Sequence, residues 1–232
     1  MTPDRPPGPW LLAIDTATSR IVVAAGAPDG RAIRALDWPA GHRHGERLLP
    51  GVEQLVAETG LARENLAGIV AGTGPGAFTG LRVGLATAKA LAHATGVPIA
   101  GVGTGEALIR AAVAAGVARP GRVVLLLPAG PHDRVAIRDG DQPELLPGGT
   151  EPAMGRDDVL IAVDLPGRAP EEAVARGEAA RAGLAEALLA LGAERLATGT
   201  SGDVELVVPE YVTLPRGVRA TSGEIEWSHG PR

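Results

Sequence analysis

The chain contains no cysteine, and several other residue types are almost missing from its 232 residues. The absence of cysteine excludes disulfide bonds, thiolate metal sites and cysteine nucleophiles, and it fits a protein of the reducing cytoplasm. Phe78 is the only phenylalanine, Tyr211 the only tyrosine and Lys89 the only lysine. With so few aromatic rings, the core must be filled by alanine, valine and leucine, whose small side chains let neighbouring elements approach closely.

Features of several binding classes are also missing. The net charge is −5 at pH 7, and no basic stripe interleaved with aromatic residues is visible, so the isolated chain should bind nucleic acids weakly. No apolar run approaches the length of a membrane span, and residues 1–9 lack the basic-then-apolar pattern of a signal peptide. We expect residues 1–9 to be a disordered lead and residues 216–232 to be a flexible tail.

The apolar pattern predicts an α/β protein with two lobes. Three β-rich runs joined by short turns, at residues 10–14, 21–25 and 31–38, predict an antiparallel meander. The elements expected next are a helix at 46–59, a strand at 66–71, a helix ending near residue 95, a strand at 98–102 and a helix at 106–115. This order is typical of a ribonuclease-H-like lobe, a mixed sheet flanked by helices, here over residues 10–120.

Residues 121–215 predict a second, abbreviated lobe that begins after Pro120-Gly121. The pattern predicts strands at 122–127, 135–137 and 159–163 and one long helix over 171–191, with residues 206–208 and 211–212 closing the fold. The long helix has an apolar face and otherwise carries glutamate and arginine, which is typical of an ordinary packed helix.

The most unusual segment is GTGPGAFTGLRVG at residues 72–84, between a predicted strand and a predicted helix. Glycine-rich turns at such positions often hold phosphates. This segment is not a Walker A loop, because no Gly-Lys-Ser/Thr ends it, and it does not fit the dinucleotide-binding fingerprint. The sequence therefore favours a different use of the glycines.

Small residues recur every four positions in the helix that follows: Gly80, Gly84, Ala88 and Ala92. They would form a nearly bare ridge that lets another helix approach to near backbone contact. Two neighbours fit this ridge, namely the helix at 46–59 of the same chain or helices of another subunit. Phe78 and Arg82 lie one helical turn apart, either as a core plug and a solvated charge or as part of an interface.

The segment DTATS at residues 15–19 follows the first strand, where ATPases with this order of elements place a phosphate-binding turn. Such a turn needs a glycine so that the backbone can approach phosphate, but Ala17 occupies that position. No second carboxylate completes a Mg²⁺ site. We therefore expect Asp15 to bind local amides in a structural turn.

Other catalytic motifs are also missing. There is no Gly-x-Ser-x-Gly elbow of a serine hydrolase and no His-Glu-x-x-His of a zinc protease. His42, His44 and His93 have no clear further ligand, so no metal site is predicted. No cofactor is expected.

Four segments together carry a family resemblance: LLAIDTAT near the start, HGERLLPGVEQLV, GTGPGAFTGLRVGLATAKALA, and PEYV near the end. They resemble the bacterial TsaB (YeaZ) family over residues 10–215, most densely in the first lobe. The resemblance implies an actin-like ASKHA fold of two ribonuclease-H-like lobes and a degenerate nucleotide cleft at Asp15, Thr16 and Thr18. The second-lobe turn at 128–134 departs from the usual family pattern.

The resemblance also implies a function without catalysis by this chain. Members of the family are the dimerisation subunit for N6-threonylcarbamoyladenosine formation at position 37 of tRNA. The implied partners are a TsaD-type catalytic subunit and a TsaE-type ATPase subunit, with tRNA bound only through the complex and a homodimer expected when the partner is absent. The implied partner-binding residues are Leu48, Leu49, Val52, Phe78, Gly80, Arg82, Gly84 and Ala88. The alternative is a small ASKHA-fold ATPase or phosphotransferase, which ATP turnover by the isolated chain would distinguish.

Overall fold

The first sheet belongs to the N-terminal lobe and has five strands among the described residues. The computed structural model describes residues 8–41, 44–199 and 204–212, and it orders these strands β3-β2-β1-β4-β5. Their bounds are β1 Trp10–Asp15, β2 Arg20–Gly26, β3 Ala32–Pro39, β4 Leu66–Gly72 and β5 Ile99–Val102. The first three strands form the predicted antiparallel meander, whereas β4 is parallel to β1 and β5 is parallel to β4.

Helices cover both faces of this sheet, which explains the continuous apolar run of β1. The helices of this lobe are α1 His44–Thr59, α2 Phe78–Thr95 and α3 Thr104–Ala114. Leu12 and Ile14 of β1 share a core with Leu48 of α1 and Leu81 of α2. Alternate residues of β1 point to the opposite face of the sheet. There they join a second core with residues of α3 and of the helical segment 184–197.

The second sheet has four strands in the order β8-β7-β6-β9. Their bounds are β6 Val123–Pro128, β7 Arg134–Ile137, β8 Glu144–Leu146 and β9 Val159–Ala162. Strands β6 and β7 are antiparallel, whereas β9 is parallel to β6. None of the helices within the described ranges is both long enough and apolar enough to cross a membrane.

The predicted long helix over 171–191 is wrong as a single element. The structure divides this segment into α4 Glu171–Ala182 and α5 Leu184–Ala197, separated by Gly183. Helix α4 packs on β9, but α5 packs on β1, β2 and β4 of the first sheet. Helix α5 therefore packs on the first lobe, although the predicted boundary at Pro120-Gly121 had assigned residues 184–197 to the second lobe.

The predicted closing segments at 206–208 and 211–212 contain no regular strand or helix within the described residues. Residues 204–212 follow an irregular path, although Val207 is buried in the core of the first lobe. Residues 1–7 of the predicted lead and the whole predicted tail at 216–232 lie outside the described residues.

Candidate functional site

Three loops meet at the carboxyl edge of the first sheet, where β1, β4 and β5 run in parallel. Asp15 ends β1 and is fully buried. Its Oδ1 accepts a hydrogen bond from the backbone N–H of Ala17 at 3.0 Å, and its Oδ2 accepts one from the hydroxyl of Thr104 at 2.5 Å. The Thr104 hydroxyl in turn accepts a hydrogen bond from the backbone N–H of Gly74 at 3.1 Å. Asp15 thus binds a local amide, as predicted, and also links all three loops.

Thr104 was not identified from the sequence. The available signal was its position directly after the third parallel strand, because the carboxyl ends of parallel strands lie at one edge of a sheet.

Burial raises the pKa of Asp15 above its usual value of 3.8, because the ionised carboxylate loses its hydration. The hydrogen bonds from Thr104 and Ala17 oppose this rise, and the negative charge of Asp164 adds to it. The folded chain therefore holds the Asp15 proton more tightly than the unfolded chain does. Between pH 3.8 and the raised pKa, the contribution of Asp15 to stability falls as pH rises.

We expect the Asp15→Asn variant to remove this pH dependence. The difference in melting temperature, wild type minus Asp15→Asn, should be highest at and below pH 3.8 and should fall as the pH rises toward the raised pKa. Thermal unfolding of both proteins across a pH series measures the difference.

Asp158→Asn is the control, because the stability contribution of Asp158 depends on pH in the opposite direction. The backbone N–H of Gly155 and the side chain of Arg138 lower the pKa of Asp158, so its contribution is present above pH 3.8 and is lost as the pH falls through the lowered pKa. A wild-type minus Asp15→Asn difference that rises with pH would contradict the buried, proton-retaining state of Asp15.

The glycine-rich loop closes over the turn that would face a phosphate. The backbone N–H of Ala77 donates to the carbonyl of Ala17 at 2.8 Å. Gly76 lies so close that a Cβ atom added to it would be 2.0 Å from the same carbonyl oxygen. Ala17 is only 3% exposed. The backbone of the glycine loop therefore packs directly on this turn and closes it on that side.

The predicted nucleotide-cleft residues are brought together, and Thr18 lines the cleft between the two lobes. Asp15, Thr16 and Thr18 are all buried. The hydroxyl of Thr16 donates to the carbonyl of Gly80 at 2.7 Å, and the hydroxyl of Thr18 accepts from the backbone N–H of Arg20 at 3.2 Å. Thr18 is thus a cleft residue, as predicted, whereas the polar groups of Asp15 and Thr16 are bonded within the chain. The nucleotide role of the three residues stays a prediction.

The small-residue ridge of α2 also faces its own chain. All four ridge residues are buried: Gly80, Gly84, Ala88 and Ala92. A Cβ atom added at Gly84 would lie 2.1 Å from the Thr16 hydroxyl oxygen. Leu48 of α1 is 1% exposed and belongs to the same core. The prediction that Leu48, Gly80, Gly84 and Ala88 contact a partner is therefore corrected, since they present no exposed surface.

The other predicted partner-binding residues reach the surface. Leu49 is 49% exposed, Val52 and Phe78 are half-buried, and Arg82 is exposed. The Arg82 guanidinium lies over the Phe78 ring, 3.9 Å from its centroid. Arg82 is thus a solvated charge, as one alternative predicted, and the interface alternative stays a prediction.

Tyr211 completes the cluster of Phe78 and Arg82, and the sequence analysis did not identify it as a site residue. Its hydroxyl accepts a hydrogen bond from Arg82 Nε at 3.1 Å, and its ring centroid lies 5.3 Å from that of Phe78. The preceding residue, Glu210, accepts a hydrogen bond from the Thr73 hydroxyl at 2.6 Å. The available signal was that the only phenylalanine and the only tyrosine of the chain occur in its two most distinctive segments.

In the part of the chain that the structure describes, no group of three or more histidine, aspartate or glutamate side chains is arranged to hold a metal ion. His42 lies outside that part. A cleft of about 1010 Å³ separates the two lobes beside the closed turn, and Ser19, Phe78, His132 and Asp164 are among the residues that line it.

A family model described as "TsaD: tRNA N6-adenosine threonylcarbamoyltransferase" matches residues 39–210, which is most of the chain. The chain belongs to this family. The chain is also similar to the TsaB protein of Escherichia coli, named a tRNA threonylcarbamoyladenosine biosynthesis protein, which is 36% identical over 94 residues, 40% of each chain. An uncharacterised protein of Mycobacterium leprae is 45% identical over 95 residues, 40% of this chain and 26% of that protein.

The structural comparison confirms the fold and the TsaB/YeaZ resemblance. YeaZ from Pseudomonas aeruginosa is 25% identical with a TM-score of 0.69, and the match covers 88% of this chain and 100% of that chain. The predicted actin-like fold of two ribonuclease-H-like lobes is thus confirmed. The matches to the first curated relatives span only 26% to 44% of those proteins' lengths.

Proposed function

We propose that this chain is a non-catalytic partner subunit of a TsaD-type transferase, and that it supports formation of N6-threonylcarbamoyladenosine at position 37 of tRNA. The closed turn is the observation that carries this proposal. An ATPase of this fold needs backbone access to phosphate, but here Gly76 and Ala77 pack directly on Ala17. Similarity to proteins named TsaB supports the choice of pathway.

The proposed docking face consists of Leu49 and Val52 on α1 and Phe78 and Arg82 on α2. The two helices pack against each other, so these residues belong to one layer on the same side of the first sheet. An apolar leucine and an arginine stacked on an aromatic ring are the kinds of groups that anchor protein interfaces. We propose that this face binds the transferase and that it pairs with a second copy of the chain when the transferase is absent.

The remaining partners follow from the same proposal. The net charge of −5 disfavours independent tRNA binding, so tRNA would be held by the complex. A TsaE-type ATPase subunit would supply the ATP hydrolysis that the closed turn does not support. Such a complex would work in the cytoplasm.

The Leu49→Arg variant tests the docking face. A charged side chain at a buried interface position should weaken binding to the transferase by roughly 30-fold, corresponding to a loss of about 2 kcal/mol. Titration of the chain into the TsaD-type transferase from the same organism measures the affinity, and the modified nucleoside formed in reconstituted reactions measures the function.

Leu145→Arg is the matched control, because Leu145 is a similarly exposed leucine, at 43%, on β8 of the second lobe. It should leave both the affinity and the modified nucleoside unchanged, and neither variant should shift the melting temperature. Equal affinity of the wild type and Leu49→Arg for the transferase would contradict the proposed docking face.

A further inference from the structure

Asp164 follows β9 in the second lobe and has an unusual backbone conformation. Its φ is 58°, and it is the only non-glycine residue with positive φ among the residues that the structure describes. L-amino acids rarely adopt this conformation, although aspartate tolerates it better than most. The conformation directs the carboxylate across the cleft toward the turn between β1 and β2 of the first lobe.

The Asp164 carboxylate accepts hydrogen bonds from the backbone and the side chain of that turn. Oδ2 accepts the backbone N–H of Ser19 at 2.6 Å, and Oδ1 accepts the Ser19 hydroxyl at 2.5 Å. From its own lobe, the Arg181 guanidinium donates to Oδ1 at 2.7 Å, and Arg181 also pairs with Glu178. The side chains of Asp164 and Arg181 are only 10% and 14% exposed.

A backbone N–H, a hydroxyl and a guanidinium converging on one point are the donors that proteins use to bind phosphate. Here the anion at that point is an internal carboxylate. We propose that Asp164 acts as a built-in substitute for phosphate, which latches the two lobes together and keeps the cleft closed to phosphate-bearing ligands. Without this carboxylate, Ser19 and Arg181 form a binding site for a phosphate or polyphosphate group.

This inference goes beyond the docking proposal and does not depend on it. The closed turn at Ala17 excludes phosphate from the side of the glycine loop, whereas Ser19 faces the cleft. The cleft has room for a ligand, since its volume is about 1010 Å³.

Titration of the full chain with inorganic pyrophosphate tests the latch. Asp164→Gly removes the carboxylate and keeps a residue that favours positive φ. We expect Asp164→Gly to bind pyrophosphate at least about tenfold more tightly than the wild type, because a like charge is removed and three donors become available. The double variant Asp164→Gly/Arg181→Ala should lose this gain. A parallel titration with ADP distinguishes free phosphate from a nucleotide: equal affinities indicate recognition of phosphate alone, and tighter ADP binding indicates a nucleotide.

Asp158→Gly is the matched control. Asp158 also accepts a backbone N–H, from Gly155 at 2.8 Å, and an arginine, Arg138 at 2.9 Å, but all three residues lie in the second lobe. Its pyrophosphate affinity should equal that of the wild type. The latch would be disproved if folded Asp164→Gly bound no more tightly than wild type, or if Asp158→Gly gained as much.

Asp164→Ser covers the case in which Asp164→Gly does not fold. Serine is neutral and shorter, so the same gain in pyrophosphate affinity is expected. If both Asp164 variants unfold while Asp158→Gly folds, the carboxylate is a structural requirement and the proposal is wrong.

Discussion

Replacing Gly84 with leucine is expected to lower the free energy of unfolding by about 1–3 kcal/mol, through overpacking of the core. Gly84 lies on the buried side of α2, and even a single Cβ atom there would be 2.1 Å from the Thr16 hydroxyl oxygen. A leucine would therefore push α2 away from the turn and break the hydrogen bond from Thr16 to the carbonyl of Gly80. In a chain of this size, each kcal/mol lowers the melting temperature by about 2–4 °C.

Gly45→Leu is the control for this substitution. Gly45 lies in α1, and a Cβ atom added there has no neighbour within 4 Å. The same change of side chain should alter stability by less than about 0.5 kcal/mol, as is usual at exposed positions. Thermal or denaturant unfolding compares the two variants. If Gly84→Leu had the same melting temperature as the wild type, the small-residue ridge of α2 would not be packed on its own chain.

Replacing Gly76 with alanine is expected to destabilise the chain by a similar amount, at the upper end of about 1–3 kcal/mol. The added Cβ atom would lie 2.0 Å from the carbonyl oxygen and 2.6 Å from the carbonyl carbon of Ala17. Backbone atoms cannot rotate away as a side chain can, so the glycine loop must separate from the β1–β2 turn. The hydrogen bond from Ala77 to Ala17 would be lost with that separation.

Hydrogen exchange of the Ala77 amide, together with the melting temperature, measures the effect of Gly76→Ala. Exchange should accelerate because the amide loses its acceptor. Gly45→Ala serves as the control, and it should change neither quantity. If Gly76→Ala kept the wild-type exchange rate at Ala77, the loop would not be held against the turn by this contact.

The order of the elements could be predicted because its signals are local. The apolar run of β1 and the turn at residues 27–30 are visible within a few residues, and so is the helical spacing in α1. The division at Gly183 was missed because α4 and α5 read as one uninterrupted helical pattern. The strands on which α5 packs, β1, β2 and β4, are far away in the sequence.

The small-residue ridge shows the limit of such patterns. Four small residues at helical spacing correctly predict close packing on that side of α2, because only small side chains allow it. They carry no information about what packs there. The structure places Thr16 against Gly84, so this close contact is internal.

By itself, the sequence determined the class of fold, its two lobes, the family and the absence of phosphate-loop motifs, since these rest on local periodicity and on short motifs. Only the tertiary structure decided how the site is closed. Asp15 contacts Thr104, and Ser19 contacts Asp164, across 89 and 145 residues of chain. Hydrogen bonds over such separations leave no local pattern, because they depend on how sheets and lobes are placed relative to each other in the folded chain.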